Sequence, residues 1–146
     1  MMAGTCQLNV KQALSLCRAV GFSGGNLVTA VAVMGAESGR FVDAFYVNDD
    51  PWQSVDRGLF QINSHWHPDL PLDQAFKPVP NARYAYEMSD GGKKWNAWAA
   101  YSNGAYLVNM PKVQAVLMAA KAGLWKIPLV KRVENIQRSG DDWNPC

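Results

Sequence analysis

Glu37 is the residue in this sequence best placed to do chemistry. It ends an almost wholly apolar run from Leu27 to Ala36 and is followed by Ser38-Gly39. An apolar segment with no polar face is a buried helix or a buried strand, and length alone does not decide between them here. The alanines and Met34 favour a helix over the strand preference of the valines. Gly39 is placed to stop such a helix at its C′ position. Glu37 would then stand in the last turn, at the mouth of the core. Desolvation by apolar neighbours and the negative end of the helix dipole both raise a carboxyl pKa at that place. A carboxylic acid kept protonated near neutral pH is what general acid catalysis needs. The competing reading is a helix-end glutamate pointing into water, the usual situation of the residue type.

A second stretch follows after a polar, turn-rich excursion: Ser54-Val55-Asp56-Arg57-Gly58-Leu59-Phe60-Gln61-Ile62-Asn63-Ser64-His65-Trp66. Together with Glu37-Ser38-Gly39 it resembles the lysozyme superfamily, over roughly residues 24 to 106. Animal-type lysozymes carry E-S, a short hairpin and a D-x-G-[IL]-[FL]-Q-I-N-S-x-W run. Soluble lytic transglycosylases carry E-S, then G-L-x-Q and a downstream A-Y-N-x-G. Ala100-Tyr101-Ser102-Asn103-Gly104 is close to that last motif, with a serine inserted before the asparagine. The run from Asp56 to Trp66 is the most specific part of the match.

The resemblance implies roles. Glu37 is implied as the general acid, and Asp56, 19 residues on, as the second carboxylate of the animal lysozymes, themselves the type case of this two-acid arrangement. A structural aspartate capping the next turn is the alternative for Asp56, since the transglycosylases work without a second acid. Ser38, Gln61, Asn63, Trp66, Trp98 and Tyr101 are implied as substrate-binding residues. The amides of Gln61 and Asn63 suit an N-acetyl group or sugar hydroxyls, or else they tie the loop to backbone. Trp66 could stack on a pyranose ring if exposed, or be core if buried. Tyr101 could orient or desolvate Glu37. His65 and His67 have no third ligand nearby, so no metal site is expected.

The elements that must position these groups can be read in part. Asn9 with Gln12 resembles a capping box, and Val10, Ala13, Leu14 and Cys17 follow at helical spacing up to Gly21. Ala44–Val47 and Gln53–Val55 read as two short strands of a hairpin, with Asn48-Asp49-Asp50-Pro51 as its turn. Pro68 to Pro80 reads as an irregular crossing with at most one helical turn around Asp73–Phe76. Asn81 is placed to cap a helix ended by Ser89-Asp90-Gly91-Gly92. Trp95, Trp98 and Tyr101 fall on one side of a further helix. Pro111 suits a helix start, with Val113, Val116, Leu117 and Ala120 following and Gly123 stopping it. A final helix is expected within Leu129–Gln137, and the tail 139–146 is expected to be flexible.

Composition sets the outer bounds. A chain of 146 residues with 49% hydrophobic and 18% charged residues is expected to form one domain, 1–146, with a real core. It has no apolar run long enough for a membrane span, and its N-terminus lacks the pattern of a signal peptide. Cys6, Cys17 and Cys146 are an odd number, which points to a reducing compartment rather than a disulfide scaffold and leaves a Cys6–Cys17 bridge open. The first 76 residues carry net charge −3 and the remainder +5. That suits an anionic polymer such as a bacterial wall, or an ordinary solvated surface. No nucleic-acid motif is present.

The expectation is therefore an α+β, mostly α, lysozyme-like fold whose small β-hairpin makes one wall of a cleft. The implied function is a muramidase of phage-lysin type, expected as a monomer, needing no cofactor, made in a host cytoplasm and acting on the peptidoglycan glycan strand of the cell wall. A lytic transglycosylase forming 1,6-anhydro ends is the first rival. A non-catalytic glycan-binding or structural phage protein is the second.

Overall fold

A helix made almost entirely of apolar residues must be surrounded, and the rest of the chain does this. The computed structural model describes residues 4–127 and 142–146. Helix α1 is Val10–Val20 and α2 is Gly24–Ser38. In α2, Ala30, Ala32, Val33 and Met34 are fully buried. The helix ends where Gly39 adopts the left-handed conformation (φ 63°) and returns its N–H to the Gly35 carbonyl at 2.9 Å. Helix α1 starts with the reciprocal cap expected from sequence: the Gln12 amide donates to Asn9 Oδ1 at 2.8 Å, and the Asn9 amide to Gln12 Oε1 at 2.9 Å.

The small sheet has three antiparallel strands in chain order, β1 Phe45–Val47, β2 Val55–Arg57 and β3 Ile62–Asn63. The expected hairpin is thus present, but its second strand begins two residues later than composition suggested. Asp50 is the reason. Its carboxylate accepts the Trp52 and Ser54 amides at 3.1 and 2.9 Å and also binds the Ser54 hydroxyl, so the turn runs on to Ser54. Asp56 consequently sits within β2, opposite Tyr46 on one side and Asn63 on the other.

Helices α3 (Leu72–Ala75) and α4 (Pro78–Met88) follow. Proline starts α4, and Asn81 is not its cap. Asn81 is buried instead, accepting from the Phe60 amide at 2.8 Å and donating to the Arg57 and Ala75 carbonyls at 2.9 and 2.8 Å. It bolts α4 to the hairpin. Gly58 completes that joint: at φ 72°, a Cβ there would collide with the Ala75 carbonyl.

The expected helix through Trp95 and Trp98 is absent; only Ala99–Ser102 (α5) is helical. The two indoles spend their N–H groups on the Gly92 and Phe60 carbonyls, at 2.8 and 2.9 Å, which holds their segment in turns. A 3₁₀ helix, Ala105–Asn109, leads into α6, Met110–Lys121. The core gathers Leu8, Leu14, Phe22, Met34, Phe60, Trp95 and Trp98. The mostly helical α+β class holds.

The cysteines correct the sequence reading. Cys6 is bonded to Cys146 (Cα–Cα 5.7 Å), and Cys17 is free and buried. Odd number and spacing concealed a pair separated by 140 residues. The end of the chain is accordingly tied down: Asp142 pairs with Lys77 at 3.1 Å and Trp143 packs on the core. The helix expected within 129–137 lies outside the described residues.

Candidate active site

Glu37 and Asp56 line one cleft of about 370 Å³, together with Gln61, Ile62, Asn63, Trp66, His67, Met88, Ala97, Trp98 and Ala99. The end of α2 contributes Glu37 to it, and the three-stranded sheet contributes Asp56.

Glu37 is half-buried. Burial pushes its carboxyl above the ordinary value of 4.5; the Ala100 amide opposes this and the nearby Asp56 charge adds to it. That amide donates to Glu37 Oε1 at 3.3 Å. An oxygen already accepting an N–H is the poorer proton carrier, so the proton of the acid form belongs on Oε2. The result is an acid with one oxygen anchored and one available.

Asp56 is held by Asn63, whose Nδ2 donates to Asp56 Oδ1 at 2.9 Å and to Ser54 Oγ at 3.1 Å. Asn63 Oδ1 in turn accepts the His65 and Trp66 amides at 2.9 and 3.1 Å. One side chain therefore sets both the second carboxylate and the start of the Trp66 wall.

The other residues expected to bind substrate divide. Trp66 stands on the cleft wall, 68% exposed. Gln61 also lines it, with its Nε2 committed to the Ala44 and Gly58 carbonyls at 3.1 and 2.9 Å. Trp98 contributes a strip of floor, with most of its ring in the core. Ser38 does not belong to the cleft. It is fully buried, and its hydroxyl donates to the Met34 carbonyl and accepts the Arg40 amide, each at 3.1 Å. Its role is to finish α2 behind Glu37. Tyr101 is likewise not a lining residue; it is exposed and stacks on Tyr106 with ring centres 4.7 Å apart. Ala100, its neighbour, makes the contact to Glu37 that the motif suggested for the tyrosine.

Two contributors escaped the sequence reading. His67 lines the cleft, and its Nδ1 lies 3.2 Å from the Tyr84 hydroxyl, which donates to Asp69 Oδ1 at 2.6 Å. A hydroxyl that gives its proton to a carboxylate must accept from the imidazole, so Nδ1 carries the hydrogen and Nε2 is a bare acceptor. Burial lowers the His67 pKa against the pull of Asp69, with Arg57 also lowering it. The balance favours the neutral ring. Arg57 is the second: buried, it donates to the carbonyls of Ile62, Leu70 and His67 at 3.0, 2.9 and 3.4 Å. It shapes the loop that carries the cleft wall. A signal was available for it, since an arginine inside an otherwise apolar motif has to find acceptors.

A half-buried carboxyl with a raised pKa, sharing a cleft with a held carboxylate and an exposed indole, is an arrangement suited to glycosidic chemistry. The lysozyme like domain family matches residues 14–100, more than half of the chain and all of the residues just described except Tyr101 and Tyr106. The chain belongs to that family, and so to the lysozyme-like enzymes that act on peptidoglycan. No curated protein and no solved structure matches it.

Proposed function

We propose that the protein is a muramidase, hydrolysing the β-1,4 bond between N-acetylmuramic acid and N-acetylglucosamine. Glu37 gives the Oε2 proton to the leaving glycosidic oxygen. The Asp56 carboxylate stabilises the cationic sugar or attacks its anomeric carbon. Glu37, now ionised, takes a proton from the water that completes hydrolysis. The observation that carries this reading is the half-buried Glu37 sharing a cleft with an Asp56 fixed by Asn63.

The rival is a lytic transglycosylase, which closes a sugar hydroxyl onto the anomeric carbon and needs no second acid. The Ala100–Gly104 motif favours it. The place of Tyr101, outside the cleft lining, weakens that support. Mass spectrometry of digested wall separates the two: reducing ends are expected, and 1,6-anhydro ends would replace hydrolase by transglycosylase. Asp56→Asn with near-parental activity would do the same.

The Cys6–Cys146 bridge supports a place of action on the oxidising side of a membrane, where peptidoglycan lies. A lysin made in a host cytoplasm and released to the wall, or carried on a virion, fits that.

A further inference from the structure

The hairpin turn presents aromatic surface that the acid chemistry does not use. Trp52, in the β1–β2 turn, is 55% exposed. Its ring stacks on His65, with centres 3.8 Å apart and planes within 10° of parallel. His65 meets the edge of Trp66 at 4.8 Å, and Trp52 meets the same ring at 5.8 Å. Trp66 lines the cleft. The three rings thus make one shelf that leaves the cleft wall and continues out along the hairpin.

The shelf is fixed from below. Asp50 accepts the Trp52 amide, and Asn63 accepts the amides of His65 and Trp66. His65 covers one face of the Trp52 indole, so the exposure belongs to the other face and the rim. Exposed aromatic rings that join into one patch beside a cleft mark a binding surface rather than scattered surface hydrophobics. The C–H face of a pyranose is suited to the task. It is flat and apolar, and its weakly positive hydrogens meet the negative face of an indole.

We propose that Trp52, backed by His65, stacks on a sugar of the glycan strand beyond those held in the cleft. Resting on the peptidoglycan reading above, the inference adds a binding position on the hairpin arm and predicts a preference for long strands. Continuity with the cleft through Trp66 is what names the occupant: a strand leaving the cleft along the Trp66 wall would meet the shelf next.

The test uses soluble, uncross-linked peptidoglycan strands of two lengths, one filling only the cleft and one reaching the arm. Binding is measured by calorimetry in a Glu37→Gln background, where strands survive. Adding Trp52→Ala is expected to weaken the long strand by roughly three- to tenfold, the worth of one aromatic contact, and to shrink the long-to-short affinity ratio. Trp52→Phe should recover part of it. An unchanged long-strand affinity in Trp52→Ala would overturn the shelf while leaving the muramidase reading intact. A parent that neither binds strands nor cleaves wall would overturn both.

Discussion

Asn63 Nδ2 lies 2.9 Å from Asp56 Oδ1, and its Oδ1 holds the amides of His65 and Trp66. The carboxylate and the start of the aromatic wall therefore share one anchor. Asn63→Ala is expected to reduce cleavage of wall at least tenfold, because both Asp56 and Trp66 lose their anchor. Unfolding should cost about 1–3 kcal/mol less, since the Ser54 hydroxyl and two backbone amides lose a partner. Asp56→Asn should abolish most activity without that loss of stability. Denaturant melts beside turnover assays distinguish the pair; equal stability losses would remove Asn63 from this dual role.

Glu37→Gln tests acid catalysis from two directions. Activity should fall about 10²–10⁴-fold, the usual worth of a positioned acid. Stability should move the other way. Folding raises the Glu37 pKa above 4.5, so the folded state binds the proton more tightly and stability falls as pH rises through that window. Glutamine escapes the cost and keeps an acceptor for the Ala100 amide. At pH 7 the variant should melt at or above the parent temperature, and the difference should vanish near pH 4. A variant that melts well below the parent at pH 7 would show a carboxylate that is welcome where it sits.

Much of this site was legible in the sequence, and the reasons differ by residue. The apolar run placed Glu37 at the end of a buried helix, while its role as an acid came from the resemblance, since spacing alone left a solvent-facing glutamate open. Asp56, Gln61, Asn63 and Trp66 share the cleft because they lie on one contiguous sheet and loop. Ser38 and Tyr101 do not line the cleft: Ser38 adjoins Glu37 and Tyr101 adjoins Ala100, whose amide reaches Glu37, while their own side chains turn elsewhere. Asn81 looked like a cap because it follows a proline, yet Pro78 had already begun the helix. The Trp95–Tyr101 periodicity was helical, but indole N–H groups seeking carbonyls outweighed it. Trp52 and the Cys6–Cys146 bond depend on contacts across the fold, which spacing does not encode.

The Cys6–Cys146 bond closes a separation of 140 residues. On a chain-entropy account, a loop of that length stabilises by up to about 5 kcal/mol, with strain and residual denatured structure reducing it. Cys146→Ser is expected to lower the denaturant midpoint clearly and to remove the response to reductant. Cys17→Ser should leave the reductant response intact, because the Cys17 thiol is buried and burial pushes its pKa up. A parent whose melting is indifferent to reductant, with the bond shown reduced by mass, would sink the expectation.

Asp43 ties the chain start to the loop before β1, accepting the Thr5 and Cys6 amides at 2.8 and 3.1 Å and the Thr5 hydroxyl at 2.8 Å. Burial raises its pKa, but these donors outweigh it and leave the carboxyl below its ordinary 3.8. With the folded value depressed, the unfolded chain binds protons more readily as pH drops. The contribution is therefore fully present above pH 3.8 and fades as acid approaches the folded value. Asp43→Ala should be less stable than the parent at pH 5–7, with the two curves converging at lower pH. Because the same loop precedes the strand that pairs with Asp56, a parallel loss of wall cleavage is expected at neutral pH. Convergence at high pH instead would reverse the sign of the linkage and show that the carboxylate is a burden to this corner of the fold.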